Sequence, residues 1–286
     1  MSRLIGIDVG GTKCHGVCID AEGAIIAELV LPTPKSEELV SVLASIVSQL
    51  GGGSTIGVGV PGLIGTGGVI HSSPNLPGAH HLAIAEPLRQ RLGVDVQVDN
   101  DATCALVAEI RLGALRGAQD AWLITLGTGI GGALLSGGSV RRGSQGFAGE
   151  VGHMRVEPNG IECPCGLRGC WERYASGSAL ARLANFPSTH DVIRAVRASE
   201  PQSSRALAEW VEWIGVGVAA LANATDPEAI VLGGGVIEEH DLFLDDVAEA
   251  VSRHLYARQD RRVPAIRATS FGRRSGAIGA ALLGHD

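Results

Sequence analysis

The side chains best equipped for chemistry gather in one stretch, "GEVGHMRVEPNGIECPCGLRGCWERYASG" (149–177). Cys163, Cys165 and Cys170 are half of the chain's six cysteines, and nine residues separate His153 from Cys163. Three thiolates and one imidazole satisfy tetrahedral Zn²⁺ with no position left open, which describes a structural site. Gly166 and Gly169 let such a loop fold tightly around an ion. The rival readings are a disulfide, an Fe–S cluster and a redox pair. Reducing surroundings disfavour a disulfide, an Fe–S cluster usually takes four thiolates, and the histidine favours zinc. Glu150 and Glu172 flank the cluster. Cys14, Cys18 and Cys104 read as small buried hydrophobes.

A second concentration is "VQVDNDATCAL" (96–106), where an apolar strand ends in Asp99-Asn100-Asp101 and a helix begins. A carboxylate at the C-terminal edge of a strand in an α/β sheet faces the crevice where ligands bind. Asp101 reads equally as a base for a hydroxyl proton and as a helix cap, and Asn100 offers donor and acceptor to a polyol. Two glycine turns, "DVGGTK" (8–13) and "TLGTGIGG" (125–132), lie between apolar strands. Glycine lets backbone N–H groups approach phosphate oxygens, and Asp8 is suited to hold Mg²⁺. A third cluster, "LGGGV" (232–236), follows a buried-looking strand, where a helix start could accept a nucleotide. Any one of these is a tight turn; three together favour nucleotide binding.

Positioning these groups takes alternating strands and helices. The chain opens as strand, "GGTK" turn, strand, then "AIIAELVL". Ser36 is placed to cap a helix in which Leu39, Val40, Leu43, Ile46, Val47 and Leu50 recur at helical spacing. "STIGVGV" and "VDVQVDN" read as strands and 101–113 as a helix. "AWLITLGTGIGGALLSGG" (121–138) repeats the opening pattern. A long helix over about 203–224, the strand "EAIVLGGGVI", the helix "LFLDDVAEAVSRHL", the strand "AIRATSF" and the helix "SGAIGAALLG" follow. The two successive units predict a duplicated α/β fold with a cleft between lobes. His80 and His81 read as loop surface, and "RRG" (141–143) as an exposed loop.

Apolar residues make up 45% of the 286 and charged residues 19%, which is globular. A net charge of −7 argues against a nucleic-acid polyanion as main partner, because phosphate neutralisation needs clustered cations. Only Lys13 and Lys35 are lysines, against 21 arginines. The N-terminus reaches a glycine turn before a signal-peptide core forms, and no window suits a membrane helix. A cytoplasmic protein with no membrane partner is expected.

"GIDVGGTK", "PGLI", "SPNLPG", "VDNDA", "LGTGIGG", "GEVGH", "CPCGLRGCWERYASG", "LGGGV" and "GAIGAALL", in that order from Ile5 to about Leu283, resemble the ROK family of bacterial sugar kinases. That family belongs with hexokinase, actin and the heat-shock ATPases. The resemblance implies a duplicated ribonuclease H-like fold of two lobes with a central cleft. It implies a small lobe over 1–110 completed by a C-terminal helix at 273–286, and a large lobe over 111–272 with the zinc loop. Its base corresponds to Asp101, which would take the proton of the 6-hydroxyl of a hexose. Asn75, Asn100, Asp101, Glu150, His153 and Glu172 correspond to its sugar-holding residues. Asp8, Gly10, Gly11, Thr12 and Lys13 match one phosphate loop, and Gly127, Thr128, Gly129 and Gly131 the other. Gly233, Gly234 and Gly235 match its adenosine-side motif. His153, Cys163, Cys165 and Cys170 match its zinc motif, so that His153 is shared between metal and sugar.

Within the family, "GCWERYASG" looks most like ATP-dependent glucokinases. The implied activity is transfer of phosphate from MgATP to D-glucose, in a homodimer or homotetramer carrying structural Zn²⁺. The nearest alternative is an N-acetylmannosamine or N-acetylglucosamine kinase, since "AHHLAI" follows "NLPG" where many glucokinases carry tryptophan. A non-catalytic sugar-sensing regulator ranks below both: it needs an N-terminal helix-turn-helix, and here the phosphate loop begins at Asp8. A polyphosphate-using kinase also ranks low, because "DVGGTK" supplies few basic groups.

Overall fold

The computed structural model describes residues 3–65 and 67–284 and divides into two compact units. Unit 1 comprises 1–117, Val140–Ala148 and 274–286; unit 2 comprises 118–139 and 149–273.

In unit 1 the strands are β1 (Leu4–Val9), β2 (Lys13–Ile19), β3 (Ile25–Pro32), β4 (Thr55–Val60), β5 (Leu63–Gly65), β6 (Val69–Ser72), β7 (His80–Ala83) and β8 (Asp95–Asn100). Its helices are α1 (Leu39–Gln49), α2 (Ala85–Leu92) and α3 (Asp101–Arg111). The main sheet has the order β3-β2-β1-β4-β8, and β5-β6-β7 form a small antiparallel sheet. β1 pairs antiparallel with β2 and parallel with β4, which pairs parallel with β8. The strands are apolar on both faces near the centre, as buried parallel strands must be. Ile5, Ile7, Val9, Val58 and Val96 join Leu43 and Ile46 of α1 in one core.

β9 (Ala121–Leu126) and β10 (Ile130–Ser136) open unit 2, and β11 (Ser139–Arg141) leads out of it, its last two residues being counted with unit 1. The short α4 (Glu172–Ala175), α5 (Gly177–Ala184), α6 (Thr189–Arg197) and the long α7 (Pro201–Thr225) follow. β12 (Ala229–Gly233), α8 (Leu244–His254) and β13 (Ala265–Ala268) complete the unit. The sheet order is β11-β10-β9-β12-β13, the same order as in unit 1, and as there the central pair β10 and β9 is antiparallel while β12 runs parallel to β9 and β13. The repeat expected from sequence is therefore a repeat of topology. Trp171, Trp210 and Phe243 fill the core, which α7 anchors. Glu200 starts α7 by accepting from the N–H groups of Gln202 and Ser203, with Pro201 in its first turn.

The last helix, α9 (Ser275–Ala281), belongs to unit 1 and lies on β1, β4 and α3 in backbone contact. A Cβ on Gly57 would sit 1.7 Å from the carbonyl oxygen of Ala280. One on Gly279 would sit 1.6 Å from that of Cys104. Only glycine permits this approach.

Several local expectations are corrected. Ser36 does not cap α1: it opens a 3-10 turn (Ser36–Glu38), and its hydroxyl donates to Pro77 O at 2.5 Å. α1 then starts at Leu39 without a side-chain cap. His80 and His81 are exposed but lie in β7, not in a loop. No α-helix begins directly after "LGGGV"; 3-10 turns over Gly235–Leu242 intervene before α8. Cys14, Cys18 and Cys104 are all fully buried.

Candidate active site and cysteine cluster

In unit 1 the polar groups collect at the C-terminal ends of β1 and β8, where the sheet runs out of hydrogen-bonding partners and turns begin. Asp8 is flush against α9: a Cβ on Gly276 would lie 2.8 Å from its carboxylate. The turn beyond it closes when Gly10 N–H donates to Lys13 O at 2.8 Å, leaving Gly11, Thr12 and Lys13 exposed. Thr33, at the end of β3, pins this turn from behind. Its hydroxyl donates to Gly10 O at 2.6 Å and its N–H to Thr12 O at 3.1 Å. Asn75 sits in a turn closed by Leu76 N–H to Ser73 O, and a Cβ on Gly11 would touch its backbone at 3.2 Å.

At the end of β8, Asn100 and not Asp101 is the cap of α3. Its Oδ1 accepts from Ala102 N and Thr103 N at 2.9 and 3.2 Å, and its Nδ2 donates to Gly62 O. Asp101 falls in the first turn, its Oδ1 also accepting from Ala102 N at 2.8 Å. Burial pushes the Asp101 carboxyl up from the usual range. Asp8 rises to about 7, through burial first and the Asp101 charge second, with Lys13 opposing. Unit 1 thus presents two carboxyl groups whose proton affinity burial raises, Asp8 to about 7, beside an exposed glycine turn.

Unit 2 gathers its own set. The second glycine turn is tied by Gly127 N–H to Gly129 O and by Gly131 N–H to the hydroxyl of Thr125. Gly177, which opens α5, donates its N–H to Gly127 O at 2.8 Å. Gly234, at φ 87°, is packed so closely that a Cβ would meet Leu126 O at 2.4 Å. The buried Gly177 therefore backs onto Gly127, and Gly234 onto Leu126 at the end of β9. Gly129 reaches the cysteine region, since a Cβ there would lie 2.6 Å from Glu172 Oε2.

His153, Cys163, Cys165 and Cys170 bring their ligand atoms within 4.8 Å of one another. Cys165 Sγ and Cys170 Sγ are 3.5 Å apart, and Cys163 Sγ lies 3.9 Å from His153 Nδ1. Zn–S bonds of about 2.3 Å give tetrahedral edges near 3.8 Å, so the set fits zinc. Burial pushes the Cys163 and Cys170 thiols up, so their thiolates need a cation beside them. The loop is held by Cys163 N–H to Leu167 O and Trp171 N–H to Met154 O. A Cβ on Gly169 would lie 1.6 Å from Glu157 O, which fixes that residue as glycine. Glu172 Oε1 accepts from Cys163 Sγ at 3.1 Å and lies 3.8 Å from His153 Nδ1. His153 Nε2 faces Glu150 at 3.8 Å. Trp171 anchors Glu172 from below, fully buried, with its indole N–H on Trp213 O.

The structure thus brings together Asp8, Asn75, Asn100 and Asp101 with the first glycine turn in unit 1. In unit 2 it joins Glu150, His153 and Glu172 to the cysteine cluster. Thr33 and Gly177 brace the two turns from remote segments, Thr33 by two hydrogen bonds and Gly177 by one, which no local pattern exposes, whereas Thr125 braces the second turn from within its own motif.

Two copies of one sheet order, each with a glycine turn between its first two strands, define the class of actin and hexokinase. The family model for the ROK family matches residues 4–286, and the chain belongs to that family. It is 34% identical to the glucokinase of Streptomyces coelicolor over 313 residues, covering 100% of this chain and 98% of the relative. It is 33% identical to an N-acetylgalactosamine kinase of Shewanella sp. (strain ANA-3) over 300 residues, covering 98% and 96%. The crystal structure of a ROK family glucokinase from Streptomyces griseus in complex with glucose and AMPPNP matches with a TM-score of 0.92. Its identity is 34%, and the match covers 98% of each chain.

Proposed function

We propose that the protein is an ATP-dependent hexose kinase that phosphorylates the 6-hydroxyl of D-glucose. The observation that carries this reading is Asp101, a buried carboxyl whose proton affinity is raised by burial, just past the end of β8 in a chain similar to glucokinases throughout. A raised proton affinity makes a carboxylate a better acceptor of a hydroxyl proton. Asp101 accepts that proton as the sugar oxygen attacks the terminal phosphorus of ATP. Asn75, Asn100, Glu150, His153 and Glu172 hold the sugar hydroxyls. Asn100 has its oxygen engaged in capping, and the second hydrogen of its amide serves the sugar.

The glycine turns at 10–13 and 127–131 receive the phosphates through backbone N–H groups, and Gly233–Gly235 border the adenosine. Asp8 would hold Mg²⁺, which neutralises phosphate charge during transfer. The four-residue cluster would hold Zn²⁺ with no coordination position left over, so the metal stiffens the loop that carries His153 and Glu172. The His153 nitrogen facing Glu150 stays available for the sugar.

Replacing Asp101 by Asn should keep glucose binding while turnover falls about 10²–10⁴-fold, the usual worth of a general base. Near-normal turnover would overturn the assignment. The second reading, an N-acetylhexosamine kinase, is favoured by Ala79-His80-His81 after "NLPG" and by the similarity to the Shewanella enzyme. Initial rates with glucose, mannose and the N-acetylhexosamines, each with MgATP, separate the two.

A further inference from the structure

The segment Val140–Ala148 packs with unit 1 although the chain on both sides of it belongs to unit 2. Three contacts hold it there. Arg142 Nε donates to Asp99 Oδ2 at 2.7 Å, the Gly146 backbone lies on Ile64 O, and the Phe147 ring meets His71 edge-on at 5.3 Å. The strap closes on itself through Ala148 N–H to Arg142 O at 2.9 Å. Of these contacts only the first is charged, and it falls two residues from Asp101.

Asp99 is a bridge. One oxygen takes Arg142, and the other accepts Asn100 N–H at 2.8 Å. Asn100 then caps α3, whose first residue is Asp101. The end of β8 thus carries two carboxylates with one amide between them, and Asp8 stands close enough for its charge to couple to Asp101. The charged groups collect around one thiol: Cys104 of α3 feels the charges of Asp99, Asp8, Asp101 and Arg142 together, and Lys13 of β2 acts on Asp8. His15, opposite Asp8 on β2, is paired with Glu28. α9 presents Ser275 and Gly276, neither charged; Glu109, about two turns along α3, faces Ser275. Lys13 and Arg142 are therefore the cations set against three carboxylates, and Arg142 is the one that touches a carboxylate directly.

The geometry points to Arg142 as a positioning residue for phosphoryl transfer: by pairing with Asp99 it removes a repelling charge beside Asp101 and so keeps Asp101 in its proton-accepting form. This rests on the kinase reading. The side chain is about half exposed, so the pair adds little to stability. Its effect lies in the field at a partly desolvated neighbour, where an uncompensated like charge favours the protonated acid.

The test is the pH dependence of turnover with glucose for the wild type, Arg142→Ala, Arg142→Lys, Asp99→Asn and the Asp99→Asn/Arg142→Ala double variant. Arg142→Ala should move the acid limb of the profile up by about half to one pH unit. Turnover then falls ~3–10-fold near pH 6 and converges with wild type at alkaline pH. Arg142→Lys should recover most of the loss. The double variant should return the limb toward the wild-type position, because the charge that needed compensation is gone. A profile for Arg142→Ala that overlays wild type, or a uniform loss at every pH, overturns the proposal. Carbon-13 NMR titration of the Asp101 carboxyl in wild type and Arg142→Ala reads the same displacement without turnover. If the wild type phosphorylates no sugar, the kinase reading fails while the NMR comparison still decides whether Arg142 controls Asp101.

Discussion

Asp8 offers the sharpest test of how the folded chain treats its carboxylates. Its carboxyl is raised from an ordinary value of 3.8 to about 7, chiefly by burial and next by Asp101. In the unfolded chain it ionises near pH 4. Between there and pH 7 the folded protein retains a proton that the unfolded chain has lost. Its contribution to stability is therefore fully present below about pH 4 and is lost as pH rises toward 7. At roughly 1.4 kcal/mol per pH unit the full loss is about 4 kcal/mol, and the solvent-facing part of the carboxyl screens this to about 2–4. Asp101 is displaced in the same direction and adds to the slope.

Asp8→Asn keeps the shape and removes the charge. Urea unfolding of the ligand-free protein at pH 5, 6.5 and 8 should show the variant gaining on wild type as pH rises, by about 2–4 kcal/mol at pH 8. The difference between variant and wild type is the informative quantity, because Glu28 and Glu212 are shifted downward and give the opposite slope in both proteins. On the proposed function the same variant should lose turnover with MgATP, so that a more stable protein is a worse enzyme. Equal differences at all three pH values would refute the burial argument. A pH-dependent gain with undiminished turnover would instead refute the role given to Asp8 in holding Mg²⁺.

Two further perturbations act on unit 2. Cys165 is the exposed member of the cluster, so Cys165→Ser spares the packing; metal analysis should find one zinc per wild-type chain and a deficit in the variant. Absence of zinc from the wild type would remove the structural-metal reading. Gly129→Ala places a methyl group 2.6 Å from Glu172 Oε2, the mobile end of a side chain. Thermal unfolding should change little, while the KM for glucose rises about 10-fold, in line with one weakened hydrogen bond. An unchanged KM would separate Glu172 from the sugar.

The duplication was legible because each unit opens with two apolar strands broken by a glycine turn, a pattern that period and composition expose. The cysteine cluster was legible because its spacing is local. Asn100 and Asp101 were found together, yet which one caps α3 depends on backbone angles at a single residue, and the cap proved to be Asn100. Ser36 failed as a cap because a 3-10 turn displaced the start of α1 to Leu39. The return of Val140–Ala148 to unit 1 had no sequence signal at all. "VRRGSQGFA" reads as loop, and the contacts that recruit it, Arg142 to Asp99 and Gly146 to Ile64, join residues that are remote in the chain. For the same reason the expected partition at 110 and 111 could not foresee a strap that leaves unit 2 and comes back.

The two sheets share one topology but not one chemistry, and the difference has an electrostatic logic. At the strand ends of unit 1 stand Asp8, Asp99 and Asp101, with Lys13 and Arg142 as their cations. At the corresponding ends of unit 2, β9 runs into Gly127 and β13 into Thr269 and Ser270, and β12 between them ends at Gly233, so none of the three presents a carboxylate. Carboxylates repel a polyphosphate, whereas backbone N–H groups bind it without carrying a charge that must later be released. On the proposed function, acid–base work and Mg²⁺ fall to the unit with carboxylates, and the nucleotide to the unit whose strand ends were cleared of them. Gly129 is where this separation is narrowest, because Glu172 stands beside the second glycine turn. Its Oε1 is turned toward Cys163 and His153, so on the proposed function a zinc ion held there would also draw negative charge away from the phosphates at that turn.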